Sequence, residues 1–188
     1  VQRESIGIYR QVGDQPAVAR GLKAFSDALL DSGRIADALP PLDEALALAR
    51  GIGDRSAEML ALRNLGQAHA LLGLCLAKQE KLPEAQAEVE QAITLAPDWD
   101  HAHYCRSVVL QERRRYAEAE AAAREALRLS PGDPNNYARL AITLYCQEKW
   151  QDSLDAALAG LQYDAEHADC MNLRTMALTK LGRQREAL

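Results

Sequence analysis

LPEAQAEVEQAITLAP, from Leu82 to Pro97, and YAEAEAAAREALRLSP, from Tyr116 to Pro131, are two versions of one segment set 34 residues apart. Leu82, Tyr116 and Trp150 keep that interval, as do Ala85, Ala119 and Ser153, then Ala92, Ala126 and Gly160. In the preceding segment Leu76, Leu110, Leu144 and Leu178 do the same. A fixed period of this size means stacked supersecondary units, each too small to bury its apolar face without its neighbours.

Each unit reads as two helices. Apolar residues recur at helical spacing (Leu72, Leu76; then Val89, Ile93), and polar turns such as KQEK and QERRR separate the two runs. Asp133 followed by Pro134 is a helix-start signal, and Pro83 is another. Prolines and turns interrupt any sustained heptad, which excludes one long coil. Small residues at the repeated positions let helices cross closely, because a bulky side chain there holds the backbones apart. With 48% hydrophobic residues but only 5% aromatic, the core must come from small and branched aliphatic side chains. The expected fold is all-α, a right-handed α-solenoid of stacked helix-turn-helix repeats.

This combination resembles the tetratricopeptide repeat family. The family's Leu-Gly pair in the first helix is matched by Leu72-Gly73 and weakens to Arg106-Ser107, Leu140-Ala141 and Arg174-Thr175. Its alanine early in the second helix is matched by Ala85, Ala119 and Ala187, and its closing proline by Pro97 and Pro131. Its aromatic in the first helix is replaced by His69 and His103 but kept at Tyr137. The resemblance is strongest from Gly66 to Leu188.

The N-terminal third repeats differently. Gly13-Asp14 aligns on Gly53-Asp54 at an interval of 40, which resembles longer repeats of the same superfamily found in signalling scaffolds. Leu65-Gly66 and Leu72-Gly73 both qualify as the Leu-Gly pair; seven residues apart, about two turns, they keep one face inward. One long helix is therefore expected from about Asp54 to Lys78. The organisation expected is a single domain over 1–188: 40-residue-type repeats over 1–53, the bridging helix over 54–79, and 34-residue-type repeats over 80–188, the last truncated. Pro40-Pro41 predicts a helix that kinks or starts late.

Charge and motifs narrow the function. With 22 Lys and Arg against 27 Asp and Glu, no positive field gathers nucleic acid. Four cysteines without a CxxC pair fit a reducing compartment and a cytoplasmic location. No apolar run approaches the roughly 18 to 20 residues that span a bilayer, so no membrane contact is expected within this segment. The start at Val1 and the end in REAL, inside a helical pattern, predict an excerpt of a longer chain.

Neither GxGxxG nor GxxxxGK[ST] occurs. His101 and His103, two apart on a helix, point roughly 200° away from each other, so no metal site is expected there. His167 and Cys170 share a face without further ligands, and Arg113 to Arg115 read as a solvated corner. Carboxylate pairs lie on outward faces, where nothing desolvates them. No catalytic residues, no cofactor and no metal are expected: the chain reads as a binding protein rather than an enzyme.

The resemblance implies that first helices line a concave groove. Tracing one face in three- and four-residue steps gives Arg63, Asn64, Gln67 and Leu74; His101, Tyr104 and Val108; Asn135, Arg139, Ile142 and Tyr145; Asn172 and Met176. The apolar and aromatic members exceed what a solvated face needs and mark a partner-binding surface. Leu74 and Val108 stand where a chaperone-tail clamp wants asparagine, so the expected ligand is an extended peptide or amphipathic helix of a partner protein, with Arg139, Asn135 or Asn172 meeting its backbone or carboxylates. The alternatives are an oligomerisation module, a homodimer through the open end at Ala187-Leu188, and a regulatory repeat segment of a larger enzyme or transcription regulator.

Overall fold

The computed structural model describes residues 2–183. Among them the chain forms ten α-helices: α1 (Gln2–Val12), α2 (Gln15–Asp31), α3 (Ile35–Ile52), α4 (Arg55–Lys78), α5 (Leu82–Leu95), α6 (Asp100–Glu112), α7 (Tyr116–Leu129), α8 (Pro134–Cys146), α9 (Trp150–Tyr163) and α10 (Ala168–Lys180). No strand occurs among the described residues, and no helix there is long and apolar enough to cross a membrane.

First helices of the hairpins start on aspartate caps where the sequence offers them. Asp14 and Asp54 each accept the backbone N–H three residues on, at 3.0 Å. Asp133 accepts from Asn135 at 2.9 Å, with Pro134 opening α8. First helices end on a shared turn. Leu76, Leu110, Leu144 and Leu178 each give their carbonyl to the N–H five residues later, at 3.0, 2.9, 3.1 and 2.9 Å. The residue before that donor is left-handed: Glu80, Arg114, Glu148 and Gly182 have φ of 62°, 58°, 61° and 73°. The 34-residue spacing of those leucines thus fixes both a core position and a helix end.

The hairpins are α2/α3, α4/α5, α6/α7 and α8/α9, and α10 packs on both α8 and α9. First helices α4, α6, α8 and α10 touch in a row, whereas α5, α7 and α9 each lie against their hairpin partner and the next first helix. A stack in contact along its first helices and spread along its second helices curves with the first helices inside.

Small side chains make the crossings. Ala85, Ala92, Ala119, Ala126 and Ser153 are wholly buried, and the Ser153 hydroxyl donates to the Ala141 carbonyl of α8 at 2.8 Å. A Cβ at Gly73 would lie 2.7 Å from Val89 Cγ1 and 3.0 Å from the Ala85 carbonyl oxygen. One at Gly66 would lie 3.1 Å from Ala96 Cβ and 3.2 Å from the Ala92 oxygen. Both Leu-Gly pairs of the 24-residue helix α4 therefore face the same partner, α5. Buried polar groups tie repeats together: Asn136 Nδ2 reaches Asp100 of α6 at 3.1 Å and the Ala126 carbonyl of α7 at 3.2 Å.

α3 does not start late. It runs from Ile35 and carries Pro40 and Pro41 in its second turn. The carbonyls left without donors belong to Ala36 and Asp37, both exposed residues, so the missing backbone bonds fall where solvent has access.

Candidate functional site

Three first helices, α6, α8 and α10, enclose a cleft of about 230 Å³. Tyr104, Arg139, Ile142, Asn172 and Met176, all traced from sequence to one face, line it together with Asp169. Met176 is 43% exposed and Ile142 half-buried, so apolar surface opens directly into the cleft.

Arg139 sits at its centre and is only 7% exposed. One terminal nitrogen donates to Gln111 Oε1 of α6, and the guanidinium lies 5.9 Å from the Tyr104 ring centre. Its Nε is hidden from solvent with no acceptor, and no carboxylate pairs with it among the described residues. Burial pushes the guanidinium below its ordinary value, against the pull of Tyr104, Cys146 and Glu112. Burial likewise raises the Tyr104 phenol, with Arg139 opposing.

Aromatic rings continue the site along α6. His101 stacks on Tyr104 with centroids 5.3 Å apart and planes 8° from parallel, and Trp99 leans on His101 at 5.3 Å. A ladder of Trp99, His101, Tyr104 and Arg139 results. Sequence spacing did not reach Trp99, which precedes α6 and so has no helical register, and the tracing ended at Val108, one turn short of the Gln111 that holds Arg139.

The other expected residues separate. Val108 is half-buried one turn beyond Tyr104. Arg63 belongs to a different cleft, with Met59, Leu62 and Trp99. Asn64 faces an opening between α2, α3 and α4. Gln67 is exposed. Leu74 is half-buried, packed against the core cluster that holds Ala70, Val89 and Cys105. Tyr145 meets Trp150 edge-on at 4.7 Å, at the α8/α9 end of the hairpin. Asn135 is taken up in capping: its Nδ2 donates to Asp133 at 2.8 Å and its Oδ1 accepts from His167 Nε2 at 3.2 Å.

His103, His167, Cys105 and Cys170 have packing or capping roles. His103 is buried and its Nε2 donates to the Pro97 carbonyl at 2.9 Å. His167 Nδ1 accepts from the Cys170 N–H at 3.3 Å, capping α10. Burial pushes the Cys105 thiol up to about 12 and that of Cys170 to about 11, which leaves both as small core residues.

Paired helices stacked around an inner row of first helices, with a cleft opening between them, define an α-solenoid repeat protein. The sequence pattern of the tetratricopeptide repeat matches residues 23–75 and 71–134, more than half of the chain. The chain belongs to the tetratricopeptide repeat family. The pattern reaches back to residue 23, so α3 and part of α2 fall within it as well.

Solved structures agree on the fold. The chain is similar to YrrB, a TPR protein with an unusual peptide-binding site, at 19% identity, covering 98% of this chain and 87% of that one with a TM-score of 0.65. It is similar to MamA from Desulfovibrio magneticus RS-1, at 19% identity over 90% and 88% with a TM-score of 0.65. It also matches the first TPR of Spaghetti (RPAP3) bound to the HSP90 peptide SRMEEVD, at 16% identity over 64% and 95% with a TM-score of 0.59. No curated protein matches it in sequence.

Proposed function

We propose that this chain is a non-catalytic interaction scaffold whose α6/α8/α10 cleft holds a segment of a partner polypeptide, with a carboxylate against Arg139 and apolar side chains against Ile142 and Met176. Arg139 carries the reading. A buried guanidinium without a counter-charge loses hydration with no Coulombic return, and removing that imbalance is what an anionic partner does best. Gln111 and Tyr104 hold the guanidinium in place while leaving Nε without an acceptor. Support comes from relatives of the same fold, one with a peptide-binding site and one bound to SRMEEVD, a peptide rich in carboxylates. The homodimer expected through Ala187-Leu188 rests on residues outside those described.

The test is a display library of random 12-residue peptides panned on the whole chain. Recovered peptides should combine Asp or Glu with a nearby apolar residue. Arg139→Gln should weaken a recovered peptide by about tenfold, the value of a charge-assisted hydrogen bond. Asp169→Asn, which removes a competing charge at the rim, should tighten it. Binding that ignores both substitutions and Met176→Asp places the partner elsewhere.

A further inference from the structure

The stack is not jointed evenly. Between later hairpins each junction is held by two helix pairs: α6 packs on both α4 and α5, α8 on α6 and α7, and α10 on α8 and α9. The junction that leads into α4 has one. α4 packs on α3, while α2 and α4 do not pack extensively on each other, and an opening of about 190 Å³ lies between them. Ala19 of α2 and Ala57 and Leu60 of α4 line that opening over Leu42 of α3, and Leu60 is 46% exposed. Two helices in contact along one line resist separation but not rocking about that line, whereas a third helix in contact fixes the angle.

Directional bonds are distributed in the same way. Arg106 of α6 pairs with Glu90 of α5 at 3.0 Å, Asn136 of α8 donates to Asp100 of α6 at 3.1 Å, and Lys149 reaches Glu120 of α7 at 2.7 Å. His167, at the start of α10, donates to Asn135 of α8 at 3.2 Å. Across the α3/α4 joint the one side-chain bond among the described residues is Arg50 Nε to Glu58 at 2.8 Å, a partly exposed pair of little strength. The rest of that joint is apolar, with Leu42 and Leu46 facing Ala61, Leu65 and Ala68. Apolar contact has no preferred direction and tolerates a small rotation. Gly53 and Asp54 alone form the link, and Gly53, at φ 70°, has no Cβ to oppose a further change of its dihedrals.

We infer that the α3/α4 joint is a hinge. The body α1–α3 swings against the body α4–α10, Gly53 takes up the dihedral change, and the opening between α2 and α4 widens and narrows with the swing. Narrowing covers Leu60, and widening exposes it. The swing alters the curvature of the inner wall ahead of the α6/α8/α10 cleft without deforming that cleft, none of whose lining residues belongs to α1–α4. The hinge is therefore independent of what the cleft binds.

Backbone N–H residual dipolar couplings on the whole, weakly aligned chain test it. The larger body dominates the alignment, so couplings fitted separately should give a smaller alignment magnitude for α1–α3 than for α4–α10, because swinging averages them. Fitted in the same way, α4–α7 and α8–α10 should agree with each other. Ala57→Leu puts a larger side chain into the opening, braces α2 against α4 and should bring the α1–α3 magnitude up to that of α4–α10. Equal magnitudes in the unaltered chain overturn the inference whether or not the two orientations agree, since a fixed rearrangement leaves both bodies fully ordered. A loss of magnitude between α4–α7 and α8–α10 as large as that at α3/α4 overturns it too, because the stack then bends everywhere. So does an inequality that Ala57→Leu leaves unchanged, because the motion then does not run through the opening.

Discussion

The region from α1 to α3 and the region from α5 to α10 solve the same stacking problem with different side chains. In the first, α2 and α3 have 17 and 18 residues, and the core contains Ile6, Val18, Leu22, Leu42 and Leu46. In the second, helices have 13 or 14 residues and alanine dominates, as in the cluster of Ala123, Ala138, Ala141, Ala156 and Ala157. Connections differ as well. Gly53 and Asp54 alone join α3 to α4, whereas 96–99, 130–133 and 164–167 make the corresponding links later. Interaxial distance follows the size of the side chains at the contact. Alanines and longer links let each first helix close on the one before it, and Ser107 of α6 and Thr143 of α8 bring their hydroxyls to 3.4 Å. Leucines and a short link keep α2 and α4 apart on either side of α3. Packing chemistry thus decides where clefts open: between touching first helices at Arg139, and in the gap between separated ones at Leu42.

The largest effect should come from adding volume where helices touch. Gly73→Leu drives a side chain into Val89 and the Ala85 carbonyl and should lower stability by about 3 kcal/mol, read from denaturant midpoints. Gly51, in α3, has nothing within 4 Å of an added Cβ, and Gly51→Ala should raise stability by roughly 0.5–1 kcal/mol through helix propensity alone. If both changes cost the same, close crossings do not distinguish the two regions.

This contrast explains how much could be read from sequence. The stack was legible because close crossings demand small residues at a fixed interval, and Ala85, Ala119 and Ser153 print that demand directly. The length of α4 was legible because both of its glycines had to face one helix. The state of Arg139 was not. Tyr104 and Gln111, which hold it, lie on another helix, and only the stacking angle decides whether a groove-facing arginine stands in water or lies across a neighbour. Tyr145 and Leu74 lie apart from the cleft for a related reason: the traced face is broad, and at its edges these half-buried side chains lean on Trp150 and on the cluster around Val89. Pro40-Pro41 pointed to a kink or a late start; of the two, the late start does not occur, because the carbonyls that lose their donors belong to exposed residues.

A smaller effect should appear at acid pH, in the alanine-rich region. Glu120 of α7 is 14% exposed and holds Lys149 at 2.7 Å, Gln147 at 2.8 Å and Arg124 at 2.8 Å, joining its helix to the turn between α8 and α9. Partial burial alone raises this carboxyl, but the hydrogen bonds from Lys149, Gln147 and Arg124 outweigh it and bring it down to about 2. The folded value lies below the ordinary 4.5, so the stabilisation is complete above about 4.5 and disappears as pH falls through about 2. Glu120→Gln should therefore cost roughly 1–2 kcal/mol at neutral pH and flatten the stability profile between those limits. An unchanged acid limb in Glu120→Gln would show that the tether contributes nothing between repeats.

The smallest effect separates the turns. In the N-terminal region the left-handed positions are Gly13, Gly33 and Gly53, but in the repeats that follow they are Glu80, Arg114 and Glu148, before glycine returns at Gly182. A left-handed residue with a Cβ stores strain of about 1 kcal/mol, and glycine relieves it at the expense of a more flexible unfolded chain. Glu148 is exposed and makes only its backbone bond to the Tyr145 carbonyl at 3.0 Å, so its side chain has nothing to lose. Glu148→Gly should raise the midpoint by roughly 0.5 kcal/mol, and Gly33→Glu should lower it by about 1 kcal/mol, although both turns carry the same backbone bonds. Equal and opposite changes of that order would mean that turn strain is one quantity throughout the stack. A loss in both variants would mean instead that the left-handed turn at Glu148 is not strained, and that the two regions differ at their turns as they do in their cores.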